Sequence, residues 1–530
     1  MESGQKTFTQ VKLSISISSI SLIALIIASC EPVPVSDLTE ERPAYYTEVH
    51  RPQYHFSPEA NWMNDPNGMV YYDGEYHLFY QYYPDSTVWG PMHWGHAVSP
   101  DMVHWEHLPI ALYPDELGLI FSGSAVMDYE NTSGFGTEEN PPMVAIFTHH
   151  DMAGEKEKTN TFQVQSIAYS LDKGRTFTKY DRNPVVPNPG IKDFRDPKVI
   201  WHDESQQWIM IFAAYDKAMI YTSPDLKSWE FASEFGIKGD TRLWECPDLF
   251  PMNVEGSDEQ KWVLITSIQK QAPNGGTATS YFIGDFDGEK FIGDPSKQRW
   301  MDYGTDNYAM VTWSKEKTND PRTLALGWMS NWQYAQKVPT DRWRSAMTLP
   351  REITLHKAPE GSYELRSNPV KELESLESRT TLGLMPPEEA RGDLVLIDKS
   401  DIGTYRFSPR FRMSDDDELV MRFSNDHGEY IDIGYSPIGQ EYFIDRRNSG
   451  KSDFSKVFAA RHTAPAKIDK KIIDMVIYMD QSSVEVFIDG GRVVMTDIFF
   501  AREPYTNIDL IGETGRYYVR GSFTELERIW

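Results

Sequence analysis

An all-β fold, a five-bladed β-propeller followed by a C-terminal β-sandwich, is what three features of this 530-residue chain predict. First, no sustained 3.6-residue apolar period precedes about residue 365. Short aromatic or β-branched runs, punctuated by Gly, Pro, Asp and Asn, stand in its place. Second, a turn sequence recurs. Ser99-Pro100-Asp101-Met102-Val103-His104-Trp105 is echoed by Ser223-Pro224-Asp225-Leu226-Lys227-Ser228-Trp229, and more loosely by Ser170 to Phe177. Third, a polar residue stands just ahead of an apolar hairpin at Asp65, Ser122, Asp196 and Glu245, and less clearly near Asp306. The separations are 57, 74, 49 and about 61 residues. Four-stranded blades run at about 40–50 residues plus insertions, so five fit, and the repetition favours a propeller over a sandwich with long loops. Innermost propeller strands converge on one axis, where residues distant in sequence meet.

Residues 1–29 read as a secretory signal: Lys6 and Lys12 precede the short apolar run Ile20 to Ser29, which is too short to span a bilayer. Ile27-Ala28-Ser29-Cys30 resembles the bacterial lipobox, in which the cysteine is lipidated and becomes the mature N-terminus. The expectation is a lipid-anchored protein of a bacterial cell envelope, attached through Cys30. Residues 30–50, rich in Pro and acid, read as a tether. The propeller is expected over 51–355. It opens with Asn61-Trp62-Met63-Asn64-Asp65-Pro66-Asn67-Gly68, then a hairpin whose Asp73-Gly74 suits a type I′ turn. Charged, Leu-bearing sequence over 356–385 reads as a linker. Alternation returns in Glu418 to Phe423, Tyr430 to Tyr435 and Val484 to Gly491, which predicts a sandwich over 386–530.

The formal charge is −27, with 52 Lys and Arg against 79 Asp and Glu. Such a surface repels phosphate backbones, so nucleic acid is excluded as a partner. Aromatic residues make up 13%, enough to serve sugar faces as well as packing. Two cysteines, Cys30 and Cys246, give no disulfide framework. His93 and His96 flank Trp94 without metal-ligand spacing, and the sequence carries no signal for oligomeric state.

Three of the recurring positions are acidic: Asp65, Asp196 in Phe194-Arg195-Asp196-Pro197, and Glu245 in Trp244-Glu245-Cys246-Pro247. Carboxylates crowded into one cavity repel, which raises the pKa of one of them. Glycoside hydrolysis needs such an unequal pair, one group to attack and one to protonate the leaving oxygen.

Trp62 to Gly68, Phe121-Ser122-Gly123-Ser124, Arg195-Asp196-Pro197 and Glu245-Cys246-Pro247, in that order, resemble glycoside hydrolase family 32. This is the invertase, inulinase and levanase family of β-fructofuranosidases. The resemblance runs from about His55 to the C-terminus and implies the same propeller and sandwich. It implies that Asp65 is the nucleophile, Glu245 the acid/base and Asp196 the transition-state stabiliser of a retaining hydrolase that forms a covalent fructosyl-enzyme. It also implies substrate contacts at Asn64, Gln81, Trp89, Phe121 and Ser122, less clearly at Trp332, and no cofactor or metal. Arg195 is expected to keep Asp196 ionised, or else to form a structural ion pair with it. Cys246 either tunes Glu245 or is a small buried hydrophobe.

The implied substrates are fructans (levan or inulin) and sucrose. Gly327 to Tyr334 looks more like the fructan-degrading members. The leading expectation is exo action. Alternatives are an endo-acting levanase or inulinase, fructosyl transfer through the same intermediate, and a non-catalytic glycan-binding surface lipoprotein.

Overall fold

The computed structural model describes residues 46–314, 320–382, 393–398, 403–412, 418–466, 472–512 and 519–530. The signal expected at 1–29, Cys30 and most of the 30–50 tether lie outside them.

Five antiparallel sheets follow one another along the chain. Their first strands are Asn61–Tyr72, Leu119–Met127, Phe194–His202, Trp244–Asn253 and Tyr308–Thr312. Each first strand packs against the first strands of the sheets before and after it, and the fifth returns to the first. That closed ring is the five-bladed propeller, with these strands at its axis. Their near-continuous burial reflects contact on both sides. Trp343–Arg344, beyond the fifth blade's second strand, pairs in parallel with Asn61 and Trp62 and closes the ring.

The fifth blade corrects the expected boundary at 355. Its last strands are Arg351–Lys357 and Tyr363–Pro369, so the segment read as a linker is largely structured. The turn between them carries Gly361 at φ +90°, a conformation open to glycine. The strand residues alternate between buried and half-exposed, a period hidden beneath their charge. A 3₁₀ turn, Lys371–Leu376, then leads into Glu377–Leu382, the first sandwich strand.

The first hairpin forms as read. Asp73 (φ +50°) and Gly74 (φ +89°) both take positive φ, as a type I′ turn requires, and Tyr72 pairs with Glu75. The recurring turn joins third to fourth strands. In the first blade Asp101 Oδ1 accepts from the Val103 and His104 amides at 2.9 and 2.8 Å, and Trp105 Nε1 donates to Met102 O. Asp225 and Trp229 repeat this in the third blade. Asp172 caps the looser copy in the second, accepting from Thr176 N at 2.9 Å. An aspartate that satisfies turn amides explains why the sequence repeats there.

The sandwich consists of two six-stranded sheets around a core that includes Phe407, Phe423, Ile433, Ile477 and Val486. Buried charges fasten it to the propeller. Arg351 bridges Asp302 (3.0 Å) and Glu485 (2.6 Å). His55 lies between Asp480 (2.7 Å) and Glu485 (3.0 Å). Arg446 pairs with Asp306 at 2.6 Å. Burial disfavours the charged imidazolium of His55, but the hydrogen bonds and charges of the two carboxylates outweigh it and raise its pKa to about 9.

Candidate active site

Every axial strand is interrupted at the same end of the ring. Pairing slips between Met63 and Pro66, Ile120 and Gly123, Arg195 and Lys198, Glu245 and Asp248, and Tyr308 and Val311. These are β-bulges, which break the ladder and re-aim side chains. Three hold a non-glycine residue in the left-handed region: Asp196 (φ +65°), Cys246 (φ +46°) and Ala309 (φ +53°). Such conformations cost on the order of 1–3 kcal/mol each and persist only where the surroundings enforce them. The first strand has a second slip, between Asn67 and Val70, where Gly68 takes φ +57° and a Cβ would sit 2.5 Å from the Phe79 ring.

The bulges turn Asp65, Ser122, Asp196 and Glu245 into one cavity of about 220 Å³. Asn64, Gln81, Trp89, Phe121, Arg195 and Trp332 line it too, so all ten residues singled out around the site face the same space. The fifth bulge brings Tyr308, not Asp306. Asp306 faces the sandwich, held by Arg446 and Tyr334. It lies two residues before Tyr308, and only the latter reaches Glu245.

Asp65 Oδ2 accepts from Ser122 Oγ at 2.8 Å and from the Cys246 thiol at 3.6 Å. Its Oδ1 is shielded from solvent and has no hydrogen-bond partner. Burial chiefly raises the Asp65 pKa, and the Glu245 charge adds to this. The Asn64, Ser122 and Cys246 side chains oppose the rise.

Glu245 is held at both oxygens. Oε1 accepts from Arg195 Nη2 at 2.7 Å, and Oε2 from the Tyr308 hydroxyl.

The expectation that Arg195 keeps Asp196 ionised fails. The guanidinium is turned toward Glu245 and Asp193 (2.8 Å), and its nearest approach to Asp196 is 3.9 Å. Burial therefore dominates and pushes Asp196 up to about 7, against the Arg195 charge and with help from Glu245 and Asp65. Asp196 Oδ2 accepts from the Cys246 amide at 3.0 Å, and its own amide donates to Thr148 Oγ1 at 3.0 Å. Cys246 is fully enclosed between Asp65 and Asp196. Burial and the two carboxylates push its thiol well above its usual pKa, so it acts as a neutral weak donor.

His150, Glu155, Gln163, Asp193, Gln269 and Gln336 complete the lining and escaped the sequence reading. His150 stacks flat on Phe121 (4.2 Å, 8°) and pairs with Glu155 at 3.1 Å. Gln163 Oε1 accepts from Phe194 N at 2.8 Å and so fixes the strand that carries Arg195. The one available signal was Asp193, an acid two residues before Arg195, which accepts from its guanidinium at 2.8 Å. Trp332 packs on Trp328 (4.9 Å) and Trp62 (5.8 Å), which sets one wall. Among the described residues no cluster of His, Cys, Asp and Glu is arranged to hold a metal ion.

Paired carboxyl groups lining one sugar-sized space with aromatic walls are the parts of a glycoside-cleaving site. Comparison with known proteins places the chain accordingly. The model of the glycosyl hydrolases family 32 N-terminal domain matches residues 55–369, and that of the family 32 C-terminal domain matches 373–527. The chain is 48% identical over 496 residues to a levanase of Bacillus subtilis, spanning 92% of this chain and 72% of that one. It is 38% identical to an extracellular exo-inulinase of Aspergillus awamori, over 86% of this chain and 90% of that one. The crystal structure of exo-inulinase from Aspergillus awamori superposes with a TM-score of 0.81 at 35% identity, covering 92% of this chain and all of that one. A β-fructofuranosidase from Schwanniomyces occidentalis, complexed with fructosyl-erythritol, gives 0.81 at 33%, with 92% and 99% covered. With both domain models matched in order across the propeller and the sandwich, the chain belongs to glycosyl hydrolases family 32.

Proposed function

We propose that this enzyme releases fructose from the ends of β-fructan chains, and from sucrose, through a covalent fructosyl intermediate. The carrying observation is the small cavity closed by Asp65, Asp196 and Glu245. At about 220 Å³ it lies below the roughly 300–1,000 Å³ of drug-sized sites and suits one sugar unit rather than a stretch of polymer. That favours exo over endo action.

In this reading the Asp65 carboxylate attacks the anomeric carbon, oriented by Ser122 and the Cys246 thiol. Glu245 protonates the departing oxygen, then takes a proton from the water that frees the sugar. Tyr308 and Arg195 fix its carboxyl group. Asp196, balanced between its protonated and ionised forms near neutral pH, meets the ring hydroxyls. Asn64, Gln81, Trp89, Phe121, Ser122, Arg195 and Trp332 complete the pocket. The B. subtilis levanase and the Aspergillus exo-inulinases support levan or inulin as substrate. Chromatography of products from levan, inulin and sucrose, each incubated separately, tests this. Fructose as the only released sugar from the polymers is expected, and a ladder of oligofructosides overturns exo action.

The lipobox-like Ile27-Ala28-Ser29-Cys30, together with relatives described as extracellular, supports attachment to the outer envelope through lipidated Cys30. Partition into the detergent phase, abolished by Cys30→Ser, is the expected result.

A further inference from the structure

A second cavity, about 460 Å³, opens at the other mouth of the propeller axis. The catalytic pocket rests on the leading ends of the axial strands. This one rests on their trailing ends, at Met127, Trp201, Pro251 and Thr312. Across the axis between them stands a buried ion pair. Lys198 Nζ lies 3.1 Å from Asp248 Oδ2 and donates to Thr312 O at 2.6 Å.

We propose that this cavity binds a segment of neutral fructan chain and holds the polymer on the face opposite the one that trims it. The proposal rests on the fructan reading above for its ligand, but not on the roles of the three carboxylates. Its physical basis is the lining. Trp201 is half-buried and fixed edge-on to Trp208 at 5.1 Å, and its Nε1 donates to Asp203 at 3.0 Å. The indole N–H groups of Trp208 and Trp313 are likewise satisfied, by Thr132 Oγ1 and His77 O. Trp208 and Trp313 are buried and form the floor, so the accessible ring faces are those of the half-buried Trp201 and Tyr129. Around them stand the exposed Glu130, Asp203 and Gln206. Ring faces beside carboxylates and an amide match a sugar, whose C–H faces stack and whose hydroxyls donate. The cavity's one cation, Lys198, is neutralised by Asp248, so the acidic rim disfavours phosphates and other anions.

Native gel electrophoresis of the full chain, with levan or inulin cast in the gel and dextran as control, reads this site directly. Wild-type protein is expected to be retarded by a fructan but not by dextran, and to stay retarded when saturating fructose fills the catalytic pocket. Trp201→Ala is expected to weaken retardation at least fivefold, with sucrose kcat/KM within twofold of wild type. Asp203→Ala combined with Gln206→Ala, both exposed, is expected to weaken it at least twofold and carries the test alone if Trp201→Ala does not fold. Unchanged retardation in the folded variants overturns the proposal. So does its loss on adding fructose, or an equal fall in sucrose turnover. A wild-type enzyme that cleaves sucrose but is retarded by neither polymer sinks the second site only. One that cleaves no fructoside sinks the catalytic reading.

Discussion

Two clusters of acids in this molecule are treated differently. At the propeller axis Asp65, Asp196 and Glu245 share one close cation, Arg195, which is spent on Glu245. At the sandwich seam Asp302, Asp306, Asp480, Glu485 and Asp497 face Arg351, Arg446, His55 and His462. The outcomes follow the charge balance. Burial raises Asp65 and Asp196, whereas at the seam Arg351 and His55 hold Glu485 below its ordinary value although it is buried more deeply. His462 and Arg446 do the same for Asp497. Asp306 stays raised by burial even beside Arg446. The seam is compensated and fastens. The axis is under-compensated and keeps its groups poised for proton transfer, at a cost in stability.

The largest effect that sharpens this contrast is chemical. Asp65→Asn and Glu245→Gln should each lower sucrose kcat by roughly 10⁴-fold or more while circular dichroism and the melting temperature hold. Wild-type turnover in both would remove the site assignment. Next in size, breaking the seam should unfold rather than inactivate. Arg351→Met leaves Glu485 and Asp302 buried without their cation, and should destabilise by about 3–5 kcal/mol in denaturant titrations. A loss below 1 kcal/mol would show the seam to be solvated.

Smaller is the pH signature of His55. Its folded pKa of about 9 lies above the usual 6.5, so its contribution is complete below pH 6.5 and fades as pH rises through 9. Stability should fall across that window by roughly 3 kcal/mol in all, read as a falling melting temperature, and His55→Gln should flatten the fall. Least is a gain. Asp196 titrates near 7 when folded, against 3.8 in the unfolded chain, so the folded state is progressively penalised as pH rises from about 4 to 7. Asp196→Asn should therefore lose activity yet melt about 2–4 °C higher than wild type at pH 8, with the gain vanishing at pH 4. An equal shift at both values would contradict a raised pKa.

How much of this could be read from the chain depends on where the signal lies. Pro197 and Pro247 lie within bulges, where no ladder donor is needed, and Pro66 closes one, so proline next to or one residue from an acid marks the site in one dimension. The fifth bulge, Ala309-Met310, has neither proline nor glycine, and the eye settles on Asp306 instead of Tyr308. Adjacency misled at Arg195: its guanidinium lies closest to Asp193 and to Glu245, 50 residues away, and not to its neighbour Asp196. The seam was illegible altogether, since His55 meets Asp480 across 425 residues and no local pattern encodes that meeting.

The ring is closed by Trp343–Arg344 clasping Asn61 and Trp62, and residues 53–55 are then pinned by Asp480. Asp65 thus leaves the ribosome early, but its neighbourhood is finished only by sequence translated hundreds of codons later. A nascent chain therefore carries Asp65 without its surroundings, and its pocket is complete only when the last strands arrive.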